Sequence, residues 1–411
     1  MVGNMNSRQN FTELFFAIII SANSINWILR LKNGLAIIVF ISFCFIIILN
    51  PKKILKSIKI NVLFFIFYIY LFFLISLIVS NNHPQTIKYL MEFSFLGVIP
   101  ILISSFSIDV KKLLLIIAFI GICFIPFVFN FNFEQYSSTL DSDIWGFLMG
   151  ISYGLLKYIL ACLILLLIYK PKNKWIKFLL YSEMIILFSF LLTQGSRGAL
   201  LSAFTCLIYL VYKSISNSNI SKIRKSVIYC IISLILIFCI FFTYNEFLSP
   251  NPNLRFTEKT YFLKENNDIS NGRILIANYT IKKILENPVF GHGIGSFDHY
   301  SGGYPHNLFL HFLYEGGILL AIPFLFIIVK SIYIIFSNKY DSEYVILILF
   351  LFFSSVIELL FSSQPWISQI FWLYIGSLFY SKKYKSRIKK YGNYMQKLSI
   401  QTQLPKNIKR I

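Results

Sequence analysis

Acidic and titratable side chains are scarce in this chain. Asp and Glu number 17 against 38 Lys and Arg, there are five histidines, and charged residues make up 13% of the sequence while hydrophobic ones make up 57%. Soluble globular proteins are about 45–50% apolar with about a quarter of residues charged, so a water-exposed globule is excluded. Metal-site and disulfide spacings are missing as well. Cys44, Cys123, Cys162, Cys206, Cys230 and Cys239 all fall inside apolar runs and are expected to be small core residues. The first apolar stretch has no small-residue cleavage site, so it is expected to remain as a helix rather than be removed as a signal peptide. The net charge of +21 does not indicate nucleic acid, which requires basic residues on one soluble surface. Here they lie in short clusters between apolar runs.

Those runs are the dominant feature. Many approach 20 residues, the length that crosses a hydrocarbon core as a helix. The chain therefore reads as an all-α integral membrane protein, a bundle of about 12 transmembrane helices with one long outward-facing loop. The expected spans are 12–29, 34–50, 60–80, 87–105, 112–130, 144–169, 175–193, 198–213, 226–245, 313–336, 343–361 and 366–380. The first carries Asn23, Ser24 and Asn26, and the fourth carries Glu92. Four regions follow: nine helices in 1–245, the long loop 246–312, three helices in 313–380, and a basic tail 381–411.

Lys and Arg set the orientation, because positive charge resists translocation. Clusters follow the second helix (Lys52, Lys53, Lys56, Lys59), the fourth (Lys111, Lys112), the sixth (Lys170, Lys172, Lys174, Lys177) and the eighth (Lys213, Lys222, Arg224, Lys225). Lys330, Lys339 and the tail add more, and Arg30 and Lys32 run against the pattern. Both termini and the even-numbered loops are thus expected in the cytoplasm, with the tail held to anionic lipid. The cytoplasmic loops are too short for a nucleotide-binding fold, so chemistry is expected on the far side of the membrane.

That far side gathers the polar residues. The stretch GHGIGSFDHYSGGYPHNLFLHFLYEGGILL, from Gly291 to Leu320, holds His292, His299, His306 and His311. Arg197, in TQGSRGALLSAF, is flanked by glycines and preceded by Ser196, which can cap the next helix. A guanidinium beside a helix N-terminus suits an anion such as phosphate, whereas snorkelling is the plain structural alternative. Arg273 opens an amphipathic helix expected to end near Glu286, with Ile274, Ile281, Ile284 and Leu285 on the membrane surface or the bundle. An arginine in a first helical turn opposes the helix dipole, so an anion is expected to offset it. Arg255 has the same chemistry, or a simple ion pair with Glu258. GHGIGSF lacks the spacing of a dinucleotide fingerprint and is expected to form a tight re-entrant turn. His306, before Asn307 at the entrance to an apolar helix, is a natural general base at neutral pH, or else an interfacial histidine. His306 and His311 are five apart and do not share a helical face, so no metal site is expected. Glu92, Lys157, Glu183 and Glu358 are costly within the bilayer. A buried Lys157–carboxylate pair explains them plainly, and proton-coupled transport explains them functionally.

SRGA at a helix junction, GR ahead of NPVFGHGIGSF, and HNLFLHFLYEGGILL within a long loop together resemble the O-antigen ligase/polymerase superfamily of lipid-sugar-dependent membrane glycosyltransferases. The motifs cover roughly residues 190–320. The resemblance implies a GT-C-like bundle in a bacterial inner membrane and inverting transfer of a glycan from undecaprenyl diphosphate to an acceptor glycan, without cofactor or metal. Arg197 and Arg273 would bind the diphosphate, with Arg255, Ser196 and Asn307 alongside. His306 would act at the acceptor hydroxyl, and Glu315 would contact substrate or orient the helix or the histidine. Where many members carry tryptophan soon after the GR arginine, RILIA follows here. YPHNLFLHFLYEGG resembles polymerases of O-antigen, capsule or exopolysaccharide repeats more than ligases that act on lipid A–core. Membrane lipids and a chain-length regulator are the further partners implied, and nucleic acid is not one. A lipid-sugar flippase or transporter is the reading from another class, and it predicts two related halves, of which no repeat is visible.

Overall fold

The computed structural model describes residues 2–29, 33–50, 58–106, 108–129, 142–193, 196–216, 272–297, 304–337 and 340–380. For 2–10, 128–129, 142–149, 193 and 197 it describes the backbone alone. Among these residues every regular element is helical. In order they are α1 (Val2–Leu29), α2 (Gly34–Leu49), α3 (Ile60–Val79), α4 (His83–Ile103), α5 (Val110–Phe129), α6 (Ser142–Ile164), α7 (Lys174–Thr193), α8 (Arg197–Ser216), α9 (Arg273–Glu286), α10 (Leu308–Phe336), α11 (Ser342–Phe361) and α12 (Gln369–Phe379). Among the described residues nine helices are long and apolar enough to span a membrane, and α2 and α12 are shorter apolar helices. These eleven coincide with eleven of the twelve expected spans, and the span expected at 226–245 lies outside the described residues. The protein is a multi-pass helical membrane protein.

Backbone amides cannot be left unpaired in hydrocarbon, so the apolar runs fold as helices. In the two spans with polar residues those side chains are turned inward to different degrees, Asn23, Asn26 and Glu92 being only half-buried. Ser24 is buried in α1, its hydroxyl directed at Gly154 O of α6 (3.5 Å). Within α4, Phe93–Val98 widens into a π-helical turn. Helix α6 lies at the centre, with 89% of its spanning window buried, whereas α3 and α7 bury 33% and 22% and present their apolar faces outward. Close approach is bought with small residues. A Cβ on Gly376 of α12 would lie 2.8 Å from Ile101 Cα and 2.9 Å from Ile101 O of α4.

The two ends of the bundle differ. At one end Lys59 Nζ donates to Phe379 O (2.5 Å), Lys330 Nζ to Leu378 O (3.3 Å), and Lys112 pairs with the buried Glu13 (3.6 Å). Lysines there offset the partial negative charge of helix C-termini. At the other end the 291–297 loop and the start of α10 meet the end of α3 and the start of α4, through Ile294 N to Ser76 Oγ (2.7 Å) and Thr86 Oγ1 to Ile294 O (2.7 Å). An aromatic wedge supports that end from below: Phe312 stacks on Phe324 (4.0 Å), and Trp366 lies against Phe73 (5.0 Å) and Trp372 (5.8 Å).

Gly376→Val places methyl groups against backbone that cannot yield, and overpacking of this kind costs about 1–3 kcal/mol. Thermal unfolding in detergent should show a clear loss for Gly376→Val. Gly150→Ala, whose Cβ meets only the rim of Trp27 at 3.1 Å, should change little. Equal stability of Gly376→Val and wild type would contradict the α4–α12 packing.

Candidate active site

The site end is organised by a break in α10. Gly317 has φ 61° and ψ −160°, a conformation essentially restricted to glycine. A break frees two carbonyls before it and two amides after it, and buried backbone groups must find partners. The glycine-rich segment supplies them all. His292 N donates to Tyr314 O and Gly293 N to Glu315 O (both 2.8 Å), while Pro288 O accepts from Ile318 N (2.9 Å) and Val289 O from Leu319 N (3.4 Å). The contact is so close that a Cβ on Gly291 would lie 2.6 Å from Glu315 C, and one on Gly317 2.2 Å from Val289 O. The expected tight turn is present, and its glycines serve backbone contact with a helix.

Glu315 sits at this suture, 1% exposed. Its Oε1 accepts from Gly295 N (2.8 Å) and its Oε2 from Trp366 Nε1 (2.7 Å). His311 Nε2 lies 3.1 Å from Oε2, out of line for a hydrogen bond. With its oxygens engaged by protein groups, Glu315 has the geometry of an orienting residue rather than of an open substrate contact. His292 is likewise structural: its Nε2 meets Lys283 O at the end of α9 (2.8 Å) and its ring stacks on Tyr314 (4.9 Å).

Asn307 caps α10, its Oδ1 accepting from Phe309 N (3.0 Å) and Leu310 N (3.2 Å). That cap turns the chain so that His306 adopts φ 53°, an uncommon state for a residue with a Cβ. The His306 ring packs on Tyr304 (4.1 Å between centroids), whose hydroxyl accepts from Ser363 N (3.2 Å). His306 Nδ1 is buried and makes no hydrogen bond among the described residues. Burial, followed by the charge of Arg273 and then of His311, pulls the His306 imidazole down to about 4 from its usual 6.5. The ring is therefore neutral at physiological pH.

Arg273 opens α9 behind Gly272 (φ 76°), with no acidic residue in that first turn. The helix ends at Glu286, as expected, but its apolar side divides. Ile276, Tyr279 and Ile284 pack with Phe297 and Tyr314, whereas Ile274, Ile281 and Leu285 are exposed. Ile284 thus belongs to the inward face, because the helix is held from one side by the α10 suture. Arg273 is in electrostatic reach of both His306 and Tyr153 of α6. Tyr153 in turn feels Ser196, Tyr304 and Glu358. Its hydroxyl oxygen is 2.0 Å from where a Cβ on Gly198 would stand, so it lies on the first turn of α8, which begins at Arg197.

The structure thus brings Ser196, the backbone of Arg197, Arg273, His306 and Asn307 to one end of the bundle and adds Tyr153 and Tyr304. Tyr304 stood beside the His-Asn pair in the sequence. Tyr153 had no local signal, being a tyrosine in an apolar helix. Arg255 and His299, and the side chain of Arg197, lie outside what is described. Lys157 donates to Ile20 O (2.8 Å) and interacts electrostatically with Glu358, while Glu183 accepts from Cys162 Sγ (3.2 Å). Among the described residues no group of three or more His, Cys, Asp or Glu could hold a metal.

Histidine NMR on the full-length protein in detergent should show His306 titrating near 4, and Arg273→Ala should raise that midpoint by removing a facing charge. An ordinary midpoint near 6.5 in wild type would contradict the geometry.

The family model described as O-Antigen ligase matches residues 182–325. No curated protein and no solved structure matches the chain. The matched segment runs from within α7 to within α10, spanning Ser196, Arg197, Arg273, His306, Asn307 and Glu315. Over residues 182–325 the chain is similar to the O-antigen ligase family, and that match together with the helical membrane architecture supports the O-antigen ligase/polymerase superfamily.

Proposed function

We propose that the protein polymerises undecaprenyl-diphosphate-linked oligosaccharide repeat units of O-antigen, capsule or exopolysaccharide at the outer face of the bacterial inner membrane. Both termini lie in the cytoplasm, consistent with the lysine-bearing end of the bundle facing inward. The observation that carries the reading is the buried Nδ1 of a neutral His306, unpaired among the described residues, within the field of Arg273. A cation that binds diphosphate and a base with a free nitrogen are the two groups that glycosyl transfer from a lipid diphosphate requires.

The sugar–diphosphate bond already holds the free energy. The acceptor hydroxyl oxygen attacks the anomeric carbon, the bond from that carbon to the diphosphate oxygen breaks, and the configuration inverts. The hydroxyl proton passes to His306, an assistance worth about 10²–10⁴-fold in rate. Arg197 and Arg273 meet the charge that grows on the departing diphosphate, most effectively in a site that excludes water. Arg255 extends the same cationic surface. Donor binding also tunes the base. A diphosphate against Arg273 offsets the charge that depresses His306, so the imidazole becomes more basic once the donor is seated.

A ligase that passes the glycan to lipid A–core uses the same groups and differs in its acceptor. The description of the matching family favours it as the second reading.

Reconstitution with a defined lipid-diphosphate repeat unit, without nucleotide or added metal, should lengthen chains. Transfer only when lipid A–core is supplied would select the ligase. Arg197→Ala, Arg273→Ala and His306→Ala should each lower transfer by at least about 10²-fold while the protein still reaches the membrane, and full activity in all three would overturn the proposal. The pH profile supplies a second check. The acid limb of kcat/KM, which reports the free enzyme, should lie below the usual histidine value of about 6.5. The acid limb of kcat should lie at higher pH, because the bound diphosphate raises the His306 pKa. Coincident limbs would contradict donor-tuned basicity.

A further inference from the structure

Tyr153 lies outside the segment matched by the family model, on the central helix α6, yet its oxygen rests against the start of α8. It is 5% exposed. Its hydroxyl lies within the electrostatic reach of Ser196, Arg273, Tyr304 and Glu358. Those partners belong to the segment before α8, the start of α9, the loop before α10 and the end of α11. The hydroxyl rests on the first turn of α8 at a point where only glycine fits. A Cβ on Gly198 would lie 2.0 Å from the phenol oxygen, 3.2 Å from the ring carbon bearing it and 3.1 Å from Phe361 Cβ.

We infer that Tyr153 is a positioning residue for diphosphate binding: its hydroxyl pins the Ser196–Gly198 turn that carries Arg197 and sets that turn against Arg273. The inference rests on the glycosyl-transfer reading for the identity of the ligand. Its physical basis is local. Arg197 is the first residue of α8, and first-turn residues are fixed by whatever satisfies the helix start. The ring of Tyr153 fills space, but only its oxygen can hydrogen-bond to the turn that carries Ser196, Arg197 and Gly198. The hydroxyl and the ring therefore have separable roles, and Tyr153→Phe removes one while keeping the other. A small displacement of a residue that orients substrate is enough to cost rate and affinity.

The test uses full-length protein in lipid nanodiscs and undecaprenyl diphosphate as the probe, read as direct binding and as inhibition of chain growth. Tyr153→Phe should weaken undecaprenyl diphosphate by about fivefold, the worth of one hydrogen bond, with thermal stability unchanged. Gly198→Ala should weaken it at least as much, by pushing the hydroxyl away. The Tyr153→Phe/Gly198→Ala double variant should be no worse than Gly198→Ala alone, since its Cβ no longer meets an oxygen. Additive losses, or a Tyr153→Phe protein that binds like wild type while Arg197→Ala and Arg273→Ala do not, would overturn the inference and leave the proposed function standing. Unchanged undecaprenyl diphosphate affinity in the two arginine variants would instead overturn the proposed function itself, and the inference with it. A loss in Tyr153→Phe that tracks lowered thermal stability would assign the hydroxyl to folding and also overturn the inference.

Discussion

A helix that breaks inside a membrane protein must have its loose backbone groups answered, and at this site end that requirement organises everything else. The break at Gly317 frees carbonyls at Tyr314 and Glu315 and amides at Ile318 and Leu319, and the chain from Pro288 to Gly293 pairs with all four. A freed group left unpaired would cost about 1–3 kcal/mol, so the glycine-rich loop is held in place by necessity. Holding it brings α9, with Arg273 at its start, onto α10, with His306 just before its start. Glu315 then locks the suture sideways to Trp366. The distance between cation and imidazole is thus set by backbone hydrogen bonds, which substrate binding does not need to rearrange.

Electrostatics follow from that arrangement. A guanidinium opening a helix, unbalanced by any acid in the same turn, is a local excess of positive charge. Burial first, and then that charge, keep the neighbouring histidine neutral well below its usual titration range. An anionic ligand would offset that charge for both groups. Arg273 gains a counter-charge, and His306 gains basicity. The same reasoning accounts for His306 Nδ1, a buried polar atom without a partner among the described residues, which becomes intelligible if the partner is a hydroxyl brought by substrate.

Much of the architecture was legible in the sequence because the lipid constraint acts on length and polarity alone. Eleven helices lie where apolar runs put them, including α1 and α4, whose Ser24 and Glu92 made them the least apolar. The place of the His306–Asn307 pair was legible from the apolar run that follows it, and in the structure Asn307 caps that helix. The start of α9 at Arg273 was legible from its Gly and its period. What the sequence could not convey depends on contacts between distant segments. The sequence EGG does not announce a helix break, because consecutive glycines are tolerated in membrane helices and the break is stabilised by residues some 25 positions earlier. The inward turn of Ile284 follows from that same suture. Tyr153 is one tyrosine among 25, and only its position over Gly198 distinguishes it.

The central claim is that one end of the bundle assembles Arg273, His306 and the start of α8 around a single diphosphate. A cryo-electron microscopy map of the full-length protein with undecaprenyl diphosphate tests it most directly. The account predicts diphosphate density in contact with Arg197 and Arg273, with His306 on its sugar side and α10 broken at Gly317. Density at the lysine-bearing end, or Arg273 and His306 separated by packed protein with no cavity between them, would contradict it.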